Sequence, residues 1–242
     1  MHETEIGITR LFNDHLAGLG NSILQLIGMH AEARPWTNFI TMQLIVAAII
    51  IVLFAVLRPR LSMDRPGKLQ HVFELAYNFF NEQTDEQVGH HGHHYLAFFG
   101  TLFIFILFAN LIGIVPGFES PTMFPSVPIG CAIASFLYYN MVGVQANGPK
   151  YFLHFFGPVW WLAPIMFPIE IVSHMARPLS LSIRLFANMF AGEQVTLAFL
   201  GLTYFVVPAI FMGLHVFVSF LQAYIFMLMT MIYVAGATAH EH

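Results

Sequence analysis

The sequence predicts an all-α integral membrane protein of about five membrane-spanning helices, the last two a long tilted hairpin, with interfacial amphipathic helices beside them. Three observations predict it. Hydrophobic residues make up 57% of the chain and charged residues only 9%, against about 25% charged in an ordinary soluble protein. Uncharged apolar runs long enough for a bilayer core, which needs about 20 helical residues, recur along the chain. From Tyr151 to His240 the chain is apolar but for Glu170, Arg177, Arg184 and Glu193. The whole of 1–242 reads as a single membrane domain.

A mean hydropathy of +0.71 leaves no charged surface to keep 242 residues in water. The net charge of −4 is too small to favour nucleic acid as a partner. Cys131, the single cysteine, lies in an apolar run and reads as a packed, inert thiol.

Residues 1–36 form an outer N-terminal segment. Its start, Met1-His2-Glu3-Thr4-Glu5, lacks the basic n-region of a signal peptide, so the first span is expected to direct insertion itself. Ile8, Leu11, Phe12, Leu16, Leu19, Ile23 and Ile27 recur at helical spacing. That pattern fits an amphipathic helix lying in the interface or packed on neighbouring protein.

The first span covers 37–57 and stops at Arg58-Pro59-Arg60. Residues 58–94 follow as a cytoplasmic loop, with Leu69, Val72, Phe73, Ala76 and Phe80 marking a second amphipathic helix. Spans two and three cover 95–118 and 125–147. The run His90-His91-Gly92-His93-His94 just before span two reads as a solvated loop, since nothing nearby completes a metal-ligand set. Two long helices close the chain, 159–199 and 205–237, with Gly201 and Pro208 marking the turn region. Both exceed the bilayer thickness, which calls for tilt or a protruding end.

Basic residues set the orientation. Arg58, Arg60, Arg65 and Lys68 follow span one and Lys150 precedes span four, whereas only Arg34 lies close to a span on the other side. The positive-inside rule then puts the N-terminus outside and the C-terminus in the cytoplasm.

Ionisable residues within a membrane are costly and normally functional. At 100° per residue, with Arg184 as zero, Arg177 falls at about −20°, Ser180 at about −40° and Asn188 at about +40°. Glu170 and Ser173 fall at about +40° and −20°. These six residues form one polar stripe over most of the membrane thickness. Glu193 lies about 180° from Arg184 and so faces something else, expected to be the next helix. On that next helix His215, Ser219, Gln222 and Tyr233 share a face. In a hairpin, His215 comes near Glu193, and His174 and Tyr233 come near Glu170. Residue types alone leave two readings open: ion pairs that staple a bundle, or an ion path.

At this point the residues become specific. The run from Arg177-Pro178-Leu179-Ser180 through Arg184-Leu185-Phe186-Ala187-Asn188 to Gly192-Glu193 resembles the signature of subunit a of F-type ATP synthases. Phe220-Leu221-Gln222-Ala223-Tyr224 through Thr230 is similar to that family's last helix. Asn110-Leu111-Ile112-Gly113 to Pro116-Gly117, Glu119-Ser120-Pro121-Thr122 and the tail Ala239-His240-Glu241-His242 also fit. The resemblance covers about 35–242 and is strongest over 164–235.

The resemblance implies a proton-translocating stator subunit beside a rotating ring of c subunits, with b-type peripheral stalk subunits, in a hetero-oligomeric complex of a bacterial plasma membrane. It implies two offset half-channels with Arg184 as the essential gate between them. A cation held in the path of a ring carboxylate favours the ionised form, and it keeps outer and inner routes apart. Glu193 and His215 match outer-route residues, and Gln222 matches the polar residue that faces the arginine. Glu170, His174, Ser173, Ser180 and Tyr233 are inner-route candidates, and Arg177 is a supporting residue. Some members carry a carboxylate where this chain has Gly113; Glu119, six residues on, is a candidate substitute at the outer mouth.

No cofactor is called for, and no phosphate-binding G-x-x-x-x-G-K-[ST] loop occurs. A haem-bearing oxidoreductase is the alternative from another class and needs facing histidines among His154, His174 and His215. A purely structural scaffold is the other. There is no H-E-x-x-H pair for a metalloprotease, and no inverted repeat of a stand-alone transporter is evident.

Overall fold

The computed structural model describes residues 6–26, 28, 30, 33–62, 67–89, 92–115, 117–148, 151, 163–202 and 206–238. Among these there are helices and no strand. In order they are α1 (Gly7–Leu26), α2 (Asn38–Leu57), α3 (Lys68–Val88), α4 (Leu96–Leu111), α5 (Ser126–Asn147), α6 (Ala163–Leu202) and α7 (Val206–Thr238). Four stretches are long and apolar enough to cross a membrane: Asn38–Leu57, Leu96–Ile114, Ser126–Asn147 and Val207–Thr238. The 40-residue α6 has ample length but carries two prolines and all four late charges, so it is less apolar than these.

Hydrophobic burial assembles α4, α5, α6 and α7 into one core. Phe99 and Ile106 of α4, Tyr139 of α5, Leu185 and Met189 of α6, and Phe226, Met227 and Met231 of α7 are fully enclosed in it. Helix α2 joins at the side. Its sequence is apolar all round, yet only Asn38, Thr41, Met42 and Val46 are buried, against Ala109 and Ile112. Leu44, Ile51, Val52, Phe54 and Val56 remain exposed, a surface that suits lipid rather than water.

Helices α6 and α7 run antiparallel along most of their length. Phe199 meets Phe211 with ring centroids 4.7 Å apart. Farther along, Ser219 Oγ donates to Met189 Sδ and Asn188 Nδ2 to Gln222 Oε1, and Arg177 lies over the Tyr233 ring. The steps advance on one helix as they retreat on the other, which is the expected hairpin. By rise, α6 is about 60 Å and α7 about 50 Å long.

Several boundaries differ from expectation. The second span ends in a 3₁₀ turn at Ile112–Ile114, short of 118, because Val115 turns extended and Gly117 takes φ +90°. Gly201 lies inside α6, which runs on to Leu202, and Pro208 stands in the first turn of α7, where a missing N–H costs little. The end of α6 at Leu202 and the start of α7 at Val206 both lie between the two expected markers. The expected start of the fourth long helix at 159, and with it His154, His90, His91, Arg65, Lys150 and the tail 239–242, lie outside the described residues.

The N-terminal helix is clamped to the start of α2. Asn13 bonds both main-chain groups of Trp36, and Trp36 Nε1 donates to the Leu16 carbonyl. The Ile6 N–H donates to Asn38 Oδ1. The buried side of α1 is Thr9, Asn13 and Gly20, so Leu11, Leu19 and Leu26 stay exposed.

Close packing makes one glycine a sensitive point. A Cβ at Gly143 would lie 2.6 Å from Tyr151 Cε2 and 3.1 Å from Ala237 Cβ, both ring and helix being fixed by the core. Gly143→Ala is expected to cost about 1–3 kcal/mol through overpacking. A fall of several degrees in the detergent unfolding midpoint checks this; an unchanged midpoint refutes it.

Candidate functional site

The late charges are held on α6 by a helix whose buried face is apolar. Leu181, Leu185 and Met189 turn inward, about 100° round from Arg184 on an ideal helix. Arg184 and Glu193 then fall on opposite flanks of that face. Arg184 is half-buried, and no hydrogen bond or ion pair engages it among the described residues. Ser173 and Ser180, on the same flank, are exposed and join no cluster. Asn188 projects from this flank and donates at 2.8 Å to Gln222, which is 2% exposed. Gln222 thus approaches the arginine's stripe one turn beyond Arg184. Two prolines interrupt the hydrogen-bond ladder of α6, Pro168 and Pro178; Pro178 has no N–H to give the His174 carbonyl one turn back.

Toward the Glu193 end, polar groups from α6, α7, α4, α2 and the segment before α5 converge. Glu193 is half-buried, and the carboxylate that acts on it is Glu119, from the segment before α5. The next helix is therefore not its neighbour in charge. Contact with α7 is made one residue earlier: a Cβ on Gly192 would lie 3.1 Å from His215 Nδ1. His215 lies beside the Asn110 main chain, yet its Nε2 is buried without a hydrogen-bond partner of proper geometry among the described residues. Asn110 Nδ2, on the facing helix α4, is in the same condition. Asn110 Oδ1 accepts from Thr122 Oγ1 at 2.7 Å, Thr122 shares a hydrogen bond with Ser120, and Ser120 Oγ reaches the Ala109 carbonyl. Asn38 Nδ2 donates to Glu119 at 3.4 Å, which ties the cluster to α2. The Ser120 main chain and Cβ fill the space beside Gly113, so a carboxylate there would displace this segment.

At the far end of α6 a second cluster forms. His174 is 8% exposed, with Nε2 at 2.9 Å from Asn140 Oδ1 and 3.3 Å from the Tyr139 hydroxyl. Tyr151 donates to the same Asn140 oxygen at 3.0 Å. Arg177 stands 5.4 Å from the Tyr233 ring centroid and acts electrostatically on Tyr139 and Tyr151. Glu170 is half-buried and acts on Tyr151.

Asn110, Ser120 and Thr122 at one end, and Tyr139, Asn140 and Tyr151 at the other, are the cluster members that residue types alone did not single out. Asn110 and Asn140 carried the available signal, an amide within an apolar run. His174 and His215 lie at opposite ends of the hairpin, about 30 Å apart by rise, too far to share one iron. No group of three metal-ligating side chains occurs among the described residues.

Comparison with known proteins places the chain in a family. The family described as ATP synthase A chain matches residues 40–235. A protein of Solibacter usitatus named ATP synthase subunit a is 75% identical over 233 residues, covering 96% of this chain and all of that one. Its namesake in Koribacter versatilis is 46% identical over 242 residues, 98% of each chain. That of Desulfosudis oleivorans is 44% identical over 200 residues, 82% of this chain and 86% of its own.

Proposed function

The chain belongs to the ATP synthase A chain family, and we propose that it is the proton-translocating stator subunit of the membrane sector, with Arg184 as the gate between two offset access routes. Membership supports a membrane-embedded stator role within a hetero-oligomeric complex. The finer reading rests on one observation: a half-buried arginine on the open flank of α6 without a partner among the described residues, lying between two separate polar clusters.

In this reading α6 also crosses, which makes five crossings, the N-terminus lies outside, the C-terminus faces the cytoplasm of a bacterium, and the exposed flank of α1 rests in the outer interface. The open flank of α6 faces the c-subunit ring, and b-type subunits hold the chain against rotation. Protons enter by Glu119, pass the Ser120–Thr122–Asn110 chain and His215, and reach Glu193. Buried amide and imidazole groups on facing helices make a polar site fit for water. From Glu193 the proton passes to a carboxylate on the ring, which crosses lipid in its neutral form. Near Arg184 the carboxylate ionises, because the guanidinium stabilises the anion. The proton leaves through the cluster around His174, Asn140, Tyr139 and Tyr233, with Glu170 toward the aqueous side. Each charge moved is worth about 2.3 kcal/mol per 100 mV, so several crossings are needed for each ATP.

ATP-driven proton uptake by inverted vesicles tests the assignment. Vesicles with the assembled complex are expected to acidify on addition of ATP, and vesicles from a strain deleted for this chain are not. Equal acidification in both overturns it.

A further inference from the structure

We propose that the groove between the end of α2 and the start of α3 binds an acyl chain of an anionic phospholipid, with Arg58 and Lys68 holding the phosphate of its headgroup. A cavity of about 270 Å³ opens there, walled by Leu53, Val56, Leu57 and Phe73 and bordered by Gly67 and Lys68. Pockets for whole small molecules start at about 300 Å³, so this one is sized for a length of chain with its polar end outside. The groove is a fixed feature. Gln70, 9% exposed, accepts from the Ser62 N–H and donates to the Ser62 carbonyl and to Glu74. Those bonds tie the segment after α2 to the first turn of α3. Phe54 and Phe73 pack with centroids 5.8 Å apart across the same junction.

Two arguments choose lipid as the occupant. The first is continuity: the groove is lined by Val56, which shares an exposed flank of α2 with Val52. Twenty helical residues span about 30 Å, so the Leu57 end of α2 comes at headgroup depth when the rest lies in hydrocarbon. The second is charge. Arg58, Arg60, Arg65 and Lys68 fall within eleven residues just beyond the span, a basic cluster of the kind that draws anionic lipid. Lys68 lines the cavity, and Arg58 follows directly on its last α2 residue, Leu57; both are exposed, and neither makes an ion pair among the described residues. An apolar groove capped by cations matches an anionic amphiphile and offers a free phosphate no use for its walls.

The test uses the assembled complex in nanodiscs with Phe73→Trp as a reporter, subtracting the fluorescence of the parent. Brominated phosphatidylglycerol is expected to quench at a several-fold lower mole fraction than brominated phosphatidylcholine. Arg58→Gln combined with Lys68→Gln is expected to bring the two curves together by weakening the anionic one alone. Equal quenching by both lipids in the reporter chain means ordinary boundary lipid and overturns the proposal. So does an anionic preference that survives the double substitution, and so does an absence of quenching, which means protein covers the groove. Should Phe73→Trp fail to assemble, Val56→Trp reads the same wall.

Discussion

Replacing Arg184 with alanine is expected to abolish ATP-driven proton uptake in inverted vesicles while the complex still assembles. The reason is the isolation of this cation. It sits half-buried on a flank of α6 with no acidic partner among the described residues, so truncation breaks no ion pair inside the chain and leaves the core of Leu181, Leu185 and Met189 intact. On the proposed function, what is lost is the interaction with a passing carboxylate. Two unit charges about 4 Å apart at an effective dielectric near 20 interact by roughly 4 kcal/mol, which corresponds to about a thousandfold in rate. The outer and inner clusters also lose the charge that keeps a water path from joining them, so passive proton leak is expected to rise. Arg184→Lys keeps a charge but not the planar fork, and is expected to retain a small fraction of the activity. Uptake within twofold of the parent in an assembled Arg184→Ala complex would refute the gate and leave the stripe as structural glue.

The helices were legible because lipid imposes a simple rule. A span must bury every backbone polar group within itself and present apolar side chains for about 20 residues, and runs such as 38–57 and 126–147 satisfy it plainly. The stripe on α6 was legible for a second reason: phase along one helix follows from residue number alone. That arithmetic put Arg184 and Glu193 on opposite flanks without any coordinates. It stops at the edge of the helix. Which side chains of α4 and α5 lean on α6 depends on how helices pack, so residue types alone did not single out Asn110 or Asn140. Glu193 was expected to face α7, and the adjacent Gly192 does meet His215 there; what residue number did not show is that a second carboxylate, Glu119 in a turn, also acts on Glu193. The two breakers bracket the passage from α6 to α7, although Gly201 lies within the last turn of one helix and Pro208 within the first turn of the other. Inside an apolar hairpin, a lone glycine such as Gly201 leaves the helix more to gain by continuing than by exposing its backbone.

Glu193→Gln is expected to stop proton uptake almost as completely as the arginine variant, but by a different failure. On the proposed route the carboxylate is the last group before the ring that can both take and release a proton; the chain behind it, Ser120, Thr122 and Asn110, offers neutral hydroxyls and an amide. Glutamine has the same shape and keeps a carbonyl to accept hydrogen bonds, so assembly is expected to be unchanged. It can carry no proton, and transfer must then jump from His215 directly to the ring. Losing a positioned proton carrier costs about 10²–10⁴ in rate, and a fall of at least a hundredfold is expected. Passive leak separates the two variants. With Arg184 present the routes remain apart, so Glu193→Gln should lower leak where Arg184→Ala raises it. Glu193→Asp, which restores a carboxylate one methylene shorter, should recover part of the uptake. A Glu193→Gln complex that pumps within threefold of the parent would remove this residue from the path, leaving Glu119 and His215 as the nearest titratable groups on the outer side.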